Sequence, residues 1–295
     1  MFVTGNTLQD LRNYFSKELS DFFSTSEIRF ITNEVIRKRL NMDSKELMIS
    51  SSIRFSESDL LYFRSFVKQL QQGVPFQYLL GKVFFHSIEL SIQSGALIPR
   101  PETEELVEWI IESHRNESPK ILDIGTGSGC IALALQYSLK SSFVSAVDVS
   151  KEALIIANAN NKQLALQVNI QQKNILEWEK YEWESFNIIV SNPPYITERE
   201  KSEMANHVLM HEPELALFVP DDEPLLFYNK IVAFAKNNLK AISSKKPYSY
   251  LYFETHERYA DSVAELLSQN GFIEVEIKRD LQDKKRMVKG KLVSP

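Results

Sequence analysis

The stretch KILDIGTGSGCIALAL (residues 120–135) decides the fold. An apolar run typical of a buried strand ends at Gly125, and a segment typical of a helix begins at Cys130. The glycines of the intervening turn, Gly125, Gly127 and Gly129, allow positive φ angles and let the backbone approach a ligand closely. This turn therefore predicts an α/β sheet with a ligand site at the carboxyl end of the strand.

Segments further along the chain extend the same pattern. From about residue 99, strands such as FVSAVDVS (143–150) and FNIIVSNPPY (186–195) alternate with helices of about ten to fifteen residues. The last predicted strand is FIEVEIKRD (272–280), and the basic stretch KRDLQDKKRMVKGK (278–291) is interpreted as a solvated hairpin. The alternation predicts βαβ units and a largely parallel sheet that is covered by helices on both faces.

The N-terminal part of the chain follows a different pattern. Residues 1–76 are rich in helix formers, with apolar residues at helical spacing, and predict a small all-helical domain. STSE (24–27) and SESD (56–59) resemble capping boxes at helix starts. Residues 77–98 break this pattern and predict a linker with a β-hairpin, so that the α/β domain comprises residues 99–295.

Composition limits the class of protein. No apolar run reaches the roughly 18 residues that a membrane span needs, and the N-terminus lacks the features of a signal peptide, so a cytoplasmic protein is predicted. The formal charge of −5 argues against a nucleic-acid partner. Cys130, the single cysteine, is interpreted as a packing residue. His207 and His211 have a spacing that metal ligands can have, but no third ligand is near, so no metal site is predicted.

The glycine turn and the following strand favour an adenosine-containing ligand. A dinucleotide fingerprint would need glycine in place of Cys130, and a Walker loop would need Gly-Lys-Ser/Thr, so pyrophosphate is not favoured. Asp148 ends the next strand, where an acidic residue can bind both hydroxyls of a ribose, while Ser150 is better suited to cap the helix that follows. S-adenosylmethionine fits these features because it presents a nucleoside without phosphates.

A second site is predicted at Asn192-Pro193-Pro194-Tyr195. The prolines make a rigid turn that offers carbonyl acceptors and few donors. The Asn192 side-chain oxygen and a proline carbonyl can together accept both hydrogens of an –NH₂ group, and the ring of Tyr195 can lie against a planar substrate. Such contacts would stabilise the positive charge that develops when a conjugated nitrogen accepts a methyl group. The pattern predicts methyl transfer to an amide or arylamine nitrogen.

Taken together, these motifs resemble those of a known family. Gly-Thr-Gly-Ser-Gly at 125–129, Asp148 and Asn-Pro-Pro-Tyr at 192–195 resemble class I S-adenosylmethionine-dependent methyltransferases acting on planar nitrogens. Further segments resemble the HemK/PrmC family of peptide chain release factor glutamine N5-methyltransferases, namely PFQYLLG (75–81), LIPRPETEELVE (97–108), DIGTGSGCIALAL (123–135), VSNPPYI (190–196) and HEPELAL (211–217).

The resemblance implies a Rossmann-like methyltransferase domain that modifies the glutamine of the Gly-Gly-Gln motif in class I release factors. It implies S-adenosylmethionine as methyl donor, S-adenosylhomocysteine as product, and a monomer that binds no membrane or nucleic acid. The expected cofactor contacts are Gly125, Thr126, Gly127, Ser128, Gly129, Asp148, Asn174, Ile175 and Asn192. The expected catalytic residues, which also bind substrate, are Asn192, Pro193, Pro194 and Tyr195, and Arg100, Glu102 and Thr103 are expected to close the pocket. Asn174 departs from the family, which usually has an acidic residue there.

Two other functions remain open at this point. A nucleic-acid N6-adenine methyltransferase would explain Asn-Pro-Pro-Tyr equally well, although low basicity and the LIPRPETE segment argue against it. A non-catalytic binding protein that kept the fold is the other alternative, and the intact residues at both sites argue against it.

Overall fold

The computed structural model describes residues 5–49, 52–204, 206–241 and 247–293. They form two compact units, one from the described residues of Met1–Gly81 and Ala205–His211, the other from those of Lys82–Met204 and Glu212–Pro295. Both ends of the chain, residues 1–4 of the predicted helical domain and 294–295 of the predicted α/β domain, lie outside this description.

The first unit is helical. Its helices up to residue 81 are α1 (Leu8–Leu19), α2 (Thr25–Leu40), α3 (Ser44–Ile49), α4 (Glu57–Gln71) and α5 (Phe76–Leu80). Capping boxes start α2, between Ser24 and Glu27, and α4, between Ser56 and Asp59, as the sequence predicted. The core of this unit is apolar and aromatic, and Phe63 lies at its centre with its ring edge-on to neighbouring rings.

A hairpin follows the first five helices in the chain. Its strands, β1 (Lys82–Phe85) and β2 (Ile88–Ser91), pair antiparallel. Phe85 and Leu90 are fully buried and belong to one of the two cores beside the main sheet. The predicted hairpin is therefore present.

The second unit contains a mixed sheet. Its α-helices are α6 (Pro101–His114), α7 (Cys130–Ser138), α8 (Lys151–Gln163), α10 (Leu226–Asn238) and α11 (Ala260–Gln269). Helix α9 (Asn206–His211) lies between α8 and α10 in the chain but belongs to the first unit. The main-sheet strands are β3 (Lys120–Ile124), β4 (Phe143–Asp148), β5 (Asn169–Gln172), β6 (Ile188–Ser191), β9 (Tyr248–Glu254), β10 (Ile273–Arg279) and β11 (Lys285–Val293). A separate short pair joins β7 (Ile196–Thr197) to β8 (Phe218–Val219).

The sheet has the order β10-β11-β9-β6-β3-β4-β5 among the described residues. The run β9-β6-β3-β4-β5 is parallel, whereas β11 pairs antiparallel with both β9 and β10. Adjacent residues of β3 face opposite cores: Ile121 packs with α6 and α7, and Leu122 packs with α10 and α11. Burial on both faces explains why these strands are continuously apolar. The predicted α/β fold with helices on both faces is confirmed.

Strand β11 differs from the sequence interpretation. The basic stretch interpreted as a solvated hairpin does join two antiparallel strands, β10 and β11, but it is not fully solvated, because Met287 and Val288 of β11 are fully buried in the sheet. Two of its lysines lie over aromatic rings: Nζ of Lys289 is 4.6 Å from the centre of the Trp109 ring, and Nζ of Lys291 is 5.3 Å from that of Tyr248. Lysine stems can cover apolar surface while their charge stays near water, so a Lys-rich strand does not look apolar in sequence.

Two kinds of feature are absent from the described ranges. No helix among them is both long and apolar enough to cross a bilayer. Within the same ranges, no group of three or more His, Cys, Asp and Glu side chains could hold a metal ion. The side chain of His207 lies outside the described atoms.

Candidate functional site

A cavity of about 210 Å³ lies at the carboxyl ends of the central strands in the second unit. Its lining includes the end of β3 with Gly125, the end of β4 with Asp148, and the residue after β6, Asn192. Open parallel sheets bind ligands at this edge because successive loops leave a crevice there. The cavity thus brings the two sites predicted from sequence together.

The glycine turn forms one wall of this cavity. Gly125, Gly127 and Gly129 have φ angles of 73°, 56° and 85°, in the left-handed region that favours glycine. A Cβ atom on Gly125 or Gly127 would meet no atom within 4 Å, and both residues line the cavity. A Cβ on Gly129 would instead lie 2.9 Å from Cδ1 of Leu133. The first two glycines leave room for a ligand, while the third permits close packing of α7.

The polar residues of the turn have a structural role. Thr126 and Ser128 are buried and do not line the cavity. Thr126 Oγ1 donates to Oδ2 of Asp123 at 2.6 Å, and the same oxygen accepts from the backbone of Ala132 at 3.2 Å. Burial raises the pKa of Asp123 to about 7. Asp123 therefore fixes the turn to the first residues of α7.

Asp148 joins the turn to the next strand. Its Oδ2 accepts from the backbone N–H of Gly127 at 2.8 Å, and its Oδ1 accepts from that of Ser150 at 2.9 Å. Burial raises the pKa of the Asp148 carboxyl, while these backbone donors lower it. Ser150 caps α8 through the backbone N–H of Ala153, as the sequence predicted. Asp148 is thus free of the capping role and lines the cavity.

Asn174 and Ile175 line the cavity beyond β5. The Asn174 side-chain oxygen accepts from the backbone N–H of Leu176 at 3.0 Å and caps a short 3₁₀ helix, Ile175–Lys180. Ile175 is buried and belongs to the core beside α10. One lone pair of the Asn174 oxygen is already used by the cap.

The loop after β6 supplies Asn192, Pro193 and Pro194 to the cavity lining, but not Tyr195. The ring of Tyr195 packs against the core beside α10, with its centre 5.9 Å from that of His256. Burial and the nearby Glu254 carboxyl raise the pKa of the Tyr195 phenol, so it stays protonated at neutral pH. The aromatic ring is therefore placed behind the loop rather than in the cavity wall.

A buried hydrogen-bond chain lies behind Asn192. Its Nδ2 donates to Oγ1 of Thr103 at 3.3 Å, and Thr103 Oγ1 donates to Oε2 of Glu254 at 2.6 Å. Glu254 is only 2% exposed, and burial raises the pKa of its carboxyl to about 7. A buried carboxyl next to a predicted substrate ligand is typical of functional sites.

Arg100 and Glu102 lie outside the lining of the cavity. Arg100 Nη2 pairs with Oε1 of Glu212 at 2.6 Å, and Oε2 of Glu212 accepts from the backbone N–H of Ile98 at 3.1 Å. The Glu212 side chain is only 1% exposed. This pair connects the LIPRPETE and HEPELAL segments, whose residues Leu97, Pro213 and others line the cavity. Glu102 is half-buried, and its charge acts on Glu254 and Tyr195.

Sequence reasoning missed Glu212 and Glu254. Glu254 ends a buried strand, YSYLYFE, and an acidic residue at the carboxyl end of such a strand is the signal that singled out Asp148. Glu212 lies in a segment that was recognised without a role for its glutamate. Cys130 is interpreted as a packing residue, and desolvation raises the pKa of its thiol to about 12, which argues against a nucleophile.

Comparison with known proteins identifies the family. Residues 10–81 match the PrmC N-terminal domain, and residues 103–219 match the Methyltransferase small domain. A release factor glutamine methyltransferase of Flavobacterium psychrophilum is 38% identical over 96% of this chain and 98% of its own, and one of Bacteroides thetaiotaomicron is 36% identical over 93% and 96%. A methyltransferase crystal structure from Pyrococcus furiosus shares the fold, with a TM-score of 0.54 and 15% identity over 76% of this chain and 98% of its own. The chain belongs to the release factor glutamine methyltransferase family.

Proposed function

We propose that this chain transfers a methyl group from S-adenosylmethionine to the side-chain amide nitrogen of the glutamine in the Gly-Gly-Gln motif of class I release factors. The observation that carries the proposal is one cavity lined both by the glycine turn with Asp148 and by Asn192-Pro193-Pro194. A methyl donor and an acceptor nitrogen must meet at a shared site, since direct transfer needs the reacting atoms close together.

The residues present fit S-adenosylmethionine. The positive φ angles of Gly125 and Gly127, and the open space where their Cβ atoms would be, suit the methionine part of the cofactor. Asp148 would bind the ribose hydroxyls, and Ile175 would lie against the adenine. The remaining lone pair of Asn174 would accept from the adenine amine. When bound, S-adenosylmethionine supplies an electrophilic methyl group on a sulfonium and leaves as S-adenosylhomocysteine.

Asn192 and Pro193 would bind the glutamine amide. The Asn192 side-chain oxygen and the Pro193 carbonyl would each accept one hydrogen of the –NH₂ group, which orients the nitrogen lone pair toward the methyl group. The same acceptors would stabilise the positive charge that the nitrogen gains as the methyl group arrives. Because the nitrogen leaves the reaction with one hydrogen fewer, one proton is released to solvent for each methyl group transferred.

Other residues would support these contacts. Pro194 would keep the loop rigid beside the cofactor, and Tyr195 would support the loop from behind, since its ring packs against the core. Arg100, with Glu212, would hold the segment around Leu97 against the cavity. We further propose that the protein acts as a monomer in the cytoplasm, with release factors as its partners.

The proposal is tested with S-adenosylmethionine that carries a labelled methyl group. Three substrates are compared: a purified class I release factor, the same factor with its motif glutamine replaced by alanine, and duplex DNA containing adenine. Label is expected on the first substrate alone. Label on the DNA would favour the adenine methyltransferase, and label on no substrate would favour a non-catalytic protein.

A further inference from the structure

The strand register brings Glu254 next to Asn192. Strands β6 and β9 are parallel neighbours, with Ser191 paired to Phe253. Asn192 directly follows β6, and Glu254 is the last residue of β9. Both side chains then reach Thr103 near the start of α6. The Asn192 side chain donates from its Nδ2 group to Thr103 Oγ1 at 3.3 Å.

The charge on Glu254 determines the direction of this hydrogen-bond chain. An ionised carboxylate only accepts, so the single hydroxyl hydrogen of Thr103 must point toward Glu254. Thr103 can then offer only a lone pair to Asn192, which must turn its –NH₂ group toward it. The Asn192 oxygen is thereby left for the cavity. A protonated Glu254 could donate to Thr103, and Asn192 could then present its –NH₂ group to the cavity instead.

We propose that Glu254 is a positioning residue whose carboxylate, acting through Thr103, holds the Asn192 amide with its oxygen toward the substrate. The inference rests on the proposed function, in which that oxygen accepts a hydrogen from the glutamine amide. An –NH₂ group in its place would meet the hydrogens of the substrate amide and repel them. Glu254 thus acts on the reaction through Asn192 without touching the substrate.

The surroundings of Glu254 leave this charge sensitive to pH. Burial raises the pKa of the Glu254 carboxyl to about 7, which the hydrogen bond from Thr103 and the charge of Arg286 oppose. Titratable groups on several neighbouring elements interact electrostatically with the Glu254 carboxyl, namely Glu102 of α6, Cys130 of α7, Tyr195, Tyr228 of α10 and Arg286 of β11. Of these, the charge of Arg286 lowers the pKa of Glu254 and that of Glu102 raises it, while burial raises the pKa values of the thiol and of both phenols and keeps these three groups neutral.

The test compares Glu254→Gln with the wild-type protein between pH 5.5 and 9. Glutamine has the size of the acid but can both donate and accept, so it no longer fixes the direction of the chain. The readouts are kcat and KM with a purified class I release factor, and the dissociation constant for S-adenosylmethionine by calorimetry. Glu265→Gln, at an exposed position on α11, is the matched control.

Wild-type kcat is expected to rise with pH up to about 7, whereas that of Glu254→Gln should lack this rise. The two should agree near pH 5.5, and the variant should be roughly tenfold to a hundredfold slower at pH 8, with unchanged cofactor affinity. Equal rates at pH 8, or a variant slowed by one factor at every pH, would overturn the inference. A wild-type protein that leaves the release factor unlabelled would overturn the proposed function as well.

A second pair of variants decides the matter if Glu254→Gln does not fold. Thr103→Val removes the hydroxyl and keeps the shape of the side chain. This variant should have a lower kcat at pH 8, and its kcat should no longer rise with pH up to about 7. Thr103→Ser keeps the hydroxyl and should recover most of what Thr103→Val loses. Thr103→Val with the wild-type rate and pH profile would contradict the proposed role of the chain.

Discussion

Replacing Glu254 with glutamine should change how the stability of the protein depends on pH. The carboxyl is 2% exposed, and burial raises its pKa from 4.5 to about 7 in spite of a hydrogen bond from Thr103. A raised folded-state pKa means that the folded protein binds this proton more tightly than the unfolded chain does. The resulting stability is fully present below pH 4.5 and is lost as pH rises through about 7.

The size of the effect follows from these two pKa values. Each unit of difference corresponds to about 1.4 kcal/mol. Integrated between pH 5 and pH 8, the titration of Glu254 should lower the free energy of unfolding by about 2 to 3 kcal/mol. Glutamine does not titrate, so the free energy of unfolding of Glu254→Gln should increase by that amount relative to the wild type between pH 5 and pH 8. Asp123, whose pKa is raised in the same way, is present in both proteins and cancels in the difference.

The assay is urea unfolding of both proteins at half-unit pH intervals from 5 to 8.5, followed by tryptophan fluorescence. The difference in free energy of unfolding should be near zero at pH 5 and should grow in favour of the variant up to pH 8. Glu265→Gln, which replaces an exposed glutamate, should show a constant difference. Parallel curves for the wild type and Glu254→Gln would show that this carboxyl titrates normally and would refute the reasoning.

Three further outcomes follow from the geometry. Asn192→Ala should lower kcat roughly a thousandfold while calorimetry shows little change in cofactor affinity, and loss of both would mean that Asn192 mainly holds the cofactor. Gly129→Ala should lower the free energy of unfolding by about 2 kcal/mol, because its Cβ would lie 2.9 Å from Leu133. Gly127→Ala should lower the free energy of unfolding by about 1 kcal/mol, because of its positive φ angle, and should also weaken cofactor binding. Glu212→Ala should destabilise by about 3 kcal/mol, measured by urea unfolding, since it removes a buried partner of two donors, and a neutral effect would contradict that role.

Local sequence patterns predicted the parts of this protein that depend on neighbours in the chain. The strand, turn and helix around Gly125–Gly129, the ends of β4 and β6, and the capping boxes each need only a short run of residue types. The crevice that unites these segments follows from the topology of parallel sheets. The roles of individual site residues and the boundaries of the domains remain predictions.

Contacts that depend on sheet register could not be predicted in this way. Thr103 and Glu254 are 151 residues apart, and Ile98 and Glu212 are 114 residues apart. Either contact follows only once the three-dimensional arrangement of the elements is known, because neither glutamate differs locally from a surface acid. The burial of strand β11 in the main sheet was missed for a related reason, since its lysines are recognisable as sheet residues only from the aromatic rings beside them, Trp109 and Tyr248.

A buried acid that lowers stability at the pH of function needs a reason to be present. Leucine or glutamine at position 254 would avoid the cost of a desolvated charge, and replacing buried ionic groups often stabilises proteins. Neither residue, however, accepts hydrogen bonds without donating, which is the property that fixes Thr103 and, through it, Asn192. Stability and activity should therefore change in opposite directions in Glu254→Gln at pH 8, with more stable folding and slower transfer. A glutamate that served only the fold would make both worse when replaced.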